Sequence, residues 1–283
     1  MNVHVTRKHR LARLHQLADE GRWNEVYRQH ILYEFPGEAR LGFQLAFMRP
    51  FCDPDRAKIL VDAGRITSDA EHRGYSTAIT LSEIINEGPE GPRARRMISH
   101  MNRLHNRFPI TPEQMTYTLS AFVVAPTRYI ERVGWRPLAD IERTAAAKFY
   151  DELGRLMAIK TRHAGWEDAC RIFDDYEAEH FRPTSDTKLL GDKTTSFLAT
   201  RLPWPVSRAA GQLFSSQVGD DVVARAVGLP AVSPLAVGAH SAVVKARRIV
   251  LPHSKAPQHP TFVPGQPAGP WKSGYSLSDI ESD

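Results

Sequence analysis

The chain has 283 residues and a net charge of +5, and it is 42% hydrophobic and 24% charged. This is ordinary globular composition, and the length allows one large domain or two small ones. Cys52 and Cys170 are the only cysteines, too few for a disulfide framework or a cysteine-rich zinc site. The positive excess is spread along the chain rather than gathered in a long basic run, so nucleic-acid binding is not expected.

The sequence also bears on membranes and compartment. The N-terminus lacks the apolar region of a signal peptide, and no stretch reaches the roughly 20 apolar residues of a membrane span. A chain with so few cysteines fits a reducing compartment. These features predict a cytoplasmic protein without a transmembrane segment, and they leave peripheral membrane contact open.

Helical periodicity dominates the first half of the chain. Leucines at three-residue spacing predict a helix over 7–20, and Ser68 or Asp69 is the expected N-cap of another helix. Thr111 and Gln114 form a capping-box pattern that begins a helix with apolar residues on nearly every side. Such a helix should run through the centre of the domain and should end or kink at Pro126.

The second half continues in the same way until the composition changes. The other predicted helices cover, in order, 54–63, 69–86 and 90–107 in the first half and 137–159, 166–181, 185–201, 203–216, 219–228 and 233–248 in the second, where glycine and proline punctuate them. From about residue 249 the chain has six prolines and no apolar period, so it should either lie over the domain or be mobile. The sequence predicts an all-α fold: a single domain of about ten helices over 1–248 with a proline-rich extension over 249–283.

The segment RMISHMNRLHNRF, residues 96–108, places two histidines on one predicted helix. His105 falls on the stripe of methionines and leucine, whereas His100 falls among arginines and is expected to face solvent. One interpretation of His105 is a core histidine bonded to a buried carbonyl or carboxylate. The other is an axial haem ligand, because an apolar wall favours the neutral imidazole that iron needs.

The preceding predicted helix contains HRGYST, in which Arg73 and Thr77 lie one turn apart on a face that Leu81 continues. The pair is either a surface arginine beside a back-bonding threonine or a functional pair. In the second interpretation Arg73 binds an anionic group such as a haem propionate, and Thr77 donates to a bound oxygen species. Glu34 is similarly ambiguous: it is either an acid in the first turn of a helix or a carboxylate that anchors an arginine in the core.

Several segments together resemble a known family. LYEFP, LAFMRPF, HRGYSTAI, MNRLHNRF, MTYTLSAFVVAPTRYIERVGWRPL and FYDELGRLMAI are similar, in order and spacing, to the MpaB-type oxygenases. These belong to one superfamily with the bacterial latex-clearing rubber oxygenases (DUF2236). The resemblance covers about residues 28–180, and HPTFVPGQ in the extension also looks like that group.

The resemblance implies a globin-related helical fold that holds haem b, with iron on His105 as axial ligand. It implies a dioxygen-dependent oxygenase that cleaves a carbon–carbon double bond of a lipophilic, isoprenoid-type substrate. Arg73 and Thr77 match the ends of the rubber oxygenases' Arg-x-x-Lys-Thr motif, but Ser76 replaces the lysine. Arg128, from the densest matching segment, either neutralises a propionate or pairs with an acid in a structural network.

Other functions stay open on the sequence alone. The same scaffold can serve a different substrate, since a fold does not determine chemistry. Replacement of the lysine by Ser76 leaves room for a haem or lipid carrier without cleavage activity. A helical DNA-binding regulator ranks last, because no helix-turn-helix signal accompanies the arginines at 93–107.

Overall fold

The computed structural model describes residues 7–64, 69–200, 204, 206–254 and 257–282, and helices are the dominant secondary structure of these residues. Within these ranges the β-type pairing is a single bridge between Ala268 and Trp271. The described α-helices, numbered in chain order, are α1 Arg7–Asp19, α2 Trp23–Gln29, α3 Pro36–Met48, α4 Pro54–Ala63, α5 Ala70–Glu87, α6 Pro92–His105, α7 Pro112–Val133, α8 Asp140–Leu156, α9 Trp166–His180, α10 Ser185–Ala199, α11 Ala210–Val218, α12 Asp221–Ala226, α13 Pro234–Val250 and α14 Leu277–Glu281. The all-α prediction is confirmed.

Helix α7 is the central element, as its apolar composition predicted. It packs against α3, α8 and α9. Its start is the predicted capping box, in which the Thr111 hydroxyl accepts from Gln114 N at 3.1 Å and the Gln114 side chain accepts from Thr111 N at 3.0 Å. These two reciprocal bonds satisfy amide groups that the first helical turn leaves without partners.

The sequence predicted that the helix ends or kinks at Pro126. It does not end there but continues to Val133, so the predicted end is wrong. Pro126 removes one main-chain donor, yet close packing holds the helix on both sides of it. A Cβ on Gly42 would lie 2.6 Å from Pro126 Cα, so α3 and α7 touch backbone to backbone there. The next residue, Thr127, donates its hydroxyl to Val123 O at 2.6 Å.

Apolar periodicity alone did not reveal α2 and α3, which are joined by a π-helix over His30–Glu34. A wider helical turn of this kind is uncommon and is often found at functional sites. Here it places Glu34 in the core with its carboxylate 3.6 Å from Arg10 and 3.5 Å from Arg136. Of the two interpretations of Glu34, the core anchor for arginine is therefore the one observed.

The C-terminal extension packs against the helical domain in its described part. Thr261 N donates to Leu32 O at 3.1 Å, and the hydroxyl of Tyr275 donates to Glu83 at 2.7 Å. Leu277 and Ile280 of the short helix α14 belong to the main hydrophobic core. Asp69 caps α5 by accepting from His72 N, while its alternative, Ser68, lies outside the described residues.

Candidate functional site

His105 is the last residue of α6, before the turn that leads to Pro109. Its Nδ1 atom is buried, and no hydrogen-bond partner for it lies within the described part of the chain. Burial lowers the pKa of His105 to about 4, and the positive charges of Arg56 and Arg73 act in the same direction. The imidazole is therefore neutral at physiological pH, with an enclosed nitrogen available to a ligand.

Arg73 is near enough to His105 for its positive charge to lower the pKa of that histidine, and Thr77 is in contact with Arg73. They occupy successive turns of α5, and Arg73 donates to Thr77 Oγ1 at 2.6 Å. The Thr77 hydroxyl in turn donates to the Arg73 carbonyl at 3.0 Å. The sequence selected four site residues: His105, Arg73, Thr77 and Arg128. The structure groups the first three.

Arg56 is the residue at this site that sequence reasoning missed. It comes from α4 and donates to Gln114 O at 3.0 Å and to the Thr118 hydroxyl on α7. Burial lowers its pKa, but an arginine stays charged even so. Nothing in the local sequence indicates this contact, because Arg56 reaches a helix that lies about sixty positions further along the chain.

The polar groups adjoin an aromatic wall. The Arg73 guanidinium lies 6.0 Å from the ring centroid of Phe47, and the rings of Phe43 and Phe122 are 6.4 Å apart. Phe43 and Phe47 are one turn apart on α3, as are Thr118 and Phe122 on α7. These contacts link five helices through side chains that we call the His105 cleft: Phe43, Phe47, Arg56, Arg73, Thr77, His105, Thr118 and Phe122.

Every member of the His105 cleft is only half-buried, although the cleft residues come from the inner helices. Their helical neighbours Ala46, Ser76 and Ala121 are buried. The aromatic side chains of the His105 cleft therefore keep accessible surface although their helices pack together. The cleft is apolar on the α3 and α7 side and cationic around His105.

Arg128 does not join these residues. It makes a bidentate pair with Asp174, at 2.6 and 2.8 Å, and its guanidinium lies 5.4 Å from the Phe173 ring centroid. These contacts place it on the face of α7 that meets α9. The contacts observed are those of the alternative interpretation, in which Arg128 pairs with an acid in a structural network. Its role in cofactor binding stays a prediction.

The prediction that His100 faces solvent is wrong, since it is only 5% exposed. Helix α14 covers this side of α6: Arg96 donates to Ser278 at 2.8 Å and to Glu281 at 3.0 Å. Arg103 lies 3.7 Å from the same Glu281 carboxylate. The arginine stripe is thus a docking face for the C-terminal extension, which the periodicity of α6 alone could not reveal.

A second polar group is buried between the π-helix and α8. His30 Nδ1 lies 2.9 Å from Glu142 Oε1, and Arg136 donates to both oxygens of Glu142 at 2.8 and 2.9 Å. Burial on its own raises the pKa of Glu142, but His30 and Arg136 outweigh it and hold that pKa well below its usual range. The group is fully paired, and we assign it to the stability of the fold.

Two cavities, of about 560 and 300 Å³, are lined by other parts of the chain. The larger includes Lys160, His163 and Trp166, and the smaller includes Trp135 and Arg248. They share no lining residue with the His105 cleft.

Comparison with known proteins identifies the class of this fold and site. Residues 39–249 match the model of the family described as "ER-bound oxygenase mpaB/B'/Rubber oxygenase, catalytic domain". The match covers well over half of the chain, and the chain belongs to this family.

Among individual proteins, the chain is similar to fungal members of the family. It is 26% identical over 251 residues to ER-bound oxygenase mpaB' of Penicillium brevicompactum, which covers 82% of this chain and 59% of that protein. It is 25% identical over 221 residues to ER-bound oxygenase mpaB of Penicillium roqueforti (strain FM164), which covers 72% of this chain and 74% of that one. The chain therefore spans less than two thirds of the mpaB' protein's length.

In the ranges that the structure describes, no helix combines the length and the apolar character needed to cross a bilayer.

Proposed function

We propose that this chain is a haem-dependent oxygenase that uses dioxygen to cleave a carbon–carbon double bond of a lipophilic, isoprenoid-type substrate. Membership of a family described as oxygenase catalytic domains supports the reaction class. The observation that carries the cofactor is His105, whose buried Nδ1 lacks a hydrogen-bond partner within the described residues.

The residues around His105 fit a haem group. An iron ligand must be a neutral imidazole, and burial keeps this histidine neutral by lowering its pKa to about 4. A haem also carries two propionates, which arginine side chains bind well. In our proposal Arg56 and Arg73, whose charges both act on His105, hold the anionic edge of the group.

When bound, the haem would supply the iron chemistry that activates dioxygen. The chain's own residues bind the group, keep water out and orient the substrate. Phe43, Phe47 and Phe122 provide an apolar wall against which an alkene chain can lie. Thr77 holds Arg73 in place through its 2.6 Å hydrogen bond, so that the positive charge is aimed at the reacting end of the cleft.

The proposed reaction balances without a further reductant. The carbon–carbon double bond and the oxygen–oxygen bond break, and two carbon–oxygen double bonds form. The electrons come from the alkene, and each oxygen atom ends in one carbonyl product. No proton enters or leaves in the overall reaction, which is consistent with a cleft whose one histidine is held neutral.

The absorption spectrum of protein purified from haem-replete cells tests the proposal. We expect a Soret band that is lost or strongly shifted in His105→Ala. His180→Ala is the matched control, because His180 lies on α9 and contacts Tyr176 rather than the cleft. A folded wild-type protein that neither contains haem nor takes it up overturns the cofactor assignment.

The propionate role of Arg56 can be tested against Arg128, the arginine that the sequence offered for the same role. Arg56→Gln removes a charge beside His105, whereas Arg128→Gln removes one that pairs with Asp174. We expect haem retention to fall about tenfold or more in Arg56→Gln, since each charged hydrogen bond contributes about 1.5–3 kcal/mol. Equal loss in the two variants contradicts this assignment.

A haem or lipid carrier is the second candidate, and the serine at position 76 favours it. Ser76 stands where the rubber oxygenases have lysine, and it is buried, at 5% exposure. Dioxygen consumption with a lipophilic alkene separates the two functions. A haem-loaded protein that binds the alkene without consuming dioxygen is a carrier.

A further inference from the structure

Helix α13, Pro234–Val250, turns its apolar side away from the protein. At about 100° per residue, one continuous face of this helix carries only apolar side chains, and all of them are exposed. Leu235 is 86% exposed and Ile249 is 70% exposed. We call this surface the outer face of α13; it consists of Leu235, Ala239, Ala242, Val243, Ala246, Ile249 and Val250.

The outward orientation is held by the contacts of the opposite side. Val244 packs against a buried apolar cluster that includes Tyr129, Val133 and Phe214. Arg247 pairs with the buried Glu38 of α3. Arg248 donates to the carbonyls of Gly134 and Arg132, each at 3.0 Å. The helix is thus fixed to the domain in a definite rotation, and none of its residues is fully buried.

The charges of α13 indicate what the outer face binds. The helix contains Lys245, Arg247 and Arg248 and no carboxylate. Lys245 and Arg248 are exposed, and Lys245 borders the outer face. An apolar face about 120° wide, with the exposed Lys245 at its margin and no carboxylate in the helix, has the pattern of a helix that lies in the plane of a membrane interface. It is wider than the two-position seam through which two helices pair in a coiled coil.

We propose that the outer face of α13 docks on an anionic lipid bilayer, with its apolar side chains at the boundary between headgroups and acyl chains. Lys245, at the edge of that face, then meets the lipid phosphates and carboxylates, which attract juxtamembrane basic residues. This inference is independent of the haem assignment, because it rests on α13 alone and its test requires neither cofactor nor turnover.

Co-sedimentation with vesicles tests the docking surface. The full chain is mixed with vesicles of phosphatidylcholine alone, or of phosphatidylcholine with about 30% phosphatidylserine. We expect binding to the anionic vesicles that weakens with added salt. Ile249→Glu and Leu235→Glu should each reduce it about tenfold or more, because each removes an apolar side chain from the membrane contact and adds a charge.

Val263→Glu is the matched control, since Val263 is an exposed valine, 48% accessible, in the C-terminal extension. Its binding should equal that of the wild type, and thermal unfolding of all variants verifies that they fold. Absence of vesicle binding, or equal binding by Ile249→Glu and wild type, overturns the proposal. So does a solution dimer that Ile249→Glu dissociates without any vesicle binding, which assigns the face to a second copy of the chain.

Discussion

The guanidinium of Arg73 donates to the hydroxyl of Thr77 at 2.6 Å, and that hydroxyl donates its own proton to the Arg73 carbonyl. In this arrangement Thr77 serves Arg73 as an acceptor and orients its charge. The expectation that Thr77 donates to a bound oxygen species would require the hydroxyl to turn away from the main chain. The pair therefore defines a positioning role that can be tested by substitution.

Thr77→Val should lower dioxygen consumption about tenfold with a lipophilic alkene, whereas Thr77→Ser should retain most of it. The valine has the same shape but cannot accept from Arg73, and electrostatic groups at reacting centres lose their effect when they are no longer held in place. Because Thr77 is half-buried on an intact helix, the free energy of unfolding should change by about 1 kcal/mol or less. Equal rates for the two variants contradict the positioning role.

The low pKa of His105 predicts a dependence of stability on pH. The folded protein binds a proton at this site only near pH 4, but the unfolded chain binds one near its ordinary value of 6.5. Between these two values the unfolded state holds more protons, so stability is lost as pH falls through that window. Urea unfolding of the haem-free protein at pH 7 and pH 4.5 should show a loss of up to about 3 kcal/mol.

The control for this prediction is His105→Gln, which cannot titrate. The variant should lose less stability than the wild type over the same interval, and the difference between the two curves isolates His105. Curves that stay parallel down to about pH 4 would show that His105 is accessible and ordinarily basic.

The buried Glu142 predicts a larger effect on stability. Glu142→Gln should reduce the free energy of unfolding by about 3–5 kcal/mol, because it removes the buried charge that pairs with both His30 and Arg136 and leaves Arg136 with only the more distant Glu34 carboxylate. Since the pKa of Glu142 lies well below its usual range in the folded protein, its stabilising effect is present above about pH 4.5 and is lost as the pH falls. Denaturant titrations at neutral pH measure the first quantity.

Asp174→Asn is the matched control for Glu142→Gln. It also breaks a bidentate arginine pair, with Arg128, but both side chains are about half-exposed. Exposed pairs contribute about 1 kcal/mol or less. Similar losses in the two variants would mean that the buried group is hydrated rather than enclosed.

The contact between α3 and α7 predicts a position-specific effect of a single methyl group. Gly42→Ala would place a Cβ 2.6 Å from Pro126 Cα, so the two helices must separate, at a cost of about 1–3 kcal/mol. Gly37→Ala, near the start of the same helix, meets nothing within 4 Å and should leave the melting temperature unchanged or slightly raised. Since Phe43 follows Gly42, Gly42→Ala should also weaken haem retention.

Much of the fold was predictable from local patterns. The capping box at Thr111, the apolar surround of α7 and the helical spacing elsewhere follow from residues close in sequence, and the structure has all of them. His105 was also selected locally, since its helical position places it with the methionines of α6. These predictions succeed because helix formation and one-sided burial depend on neighbours three or four positions away.

Only the tertiary structure decided the contacts between residues that are distant in sequence. His100 is buried because α14 returns across α6, and Pro126 is tolerated because α3 lies against it. Arg56 reaches the site because its long side chain extends from α4 to Thr118 of α7. The charge state of His105 is likewise set by the burial and the two arginines that packing provides. Helical periodicity determines which side of a helix is apolar, but it does not determine which partner covers that side. The outer face of α13 is covered by no part of the described chain.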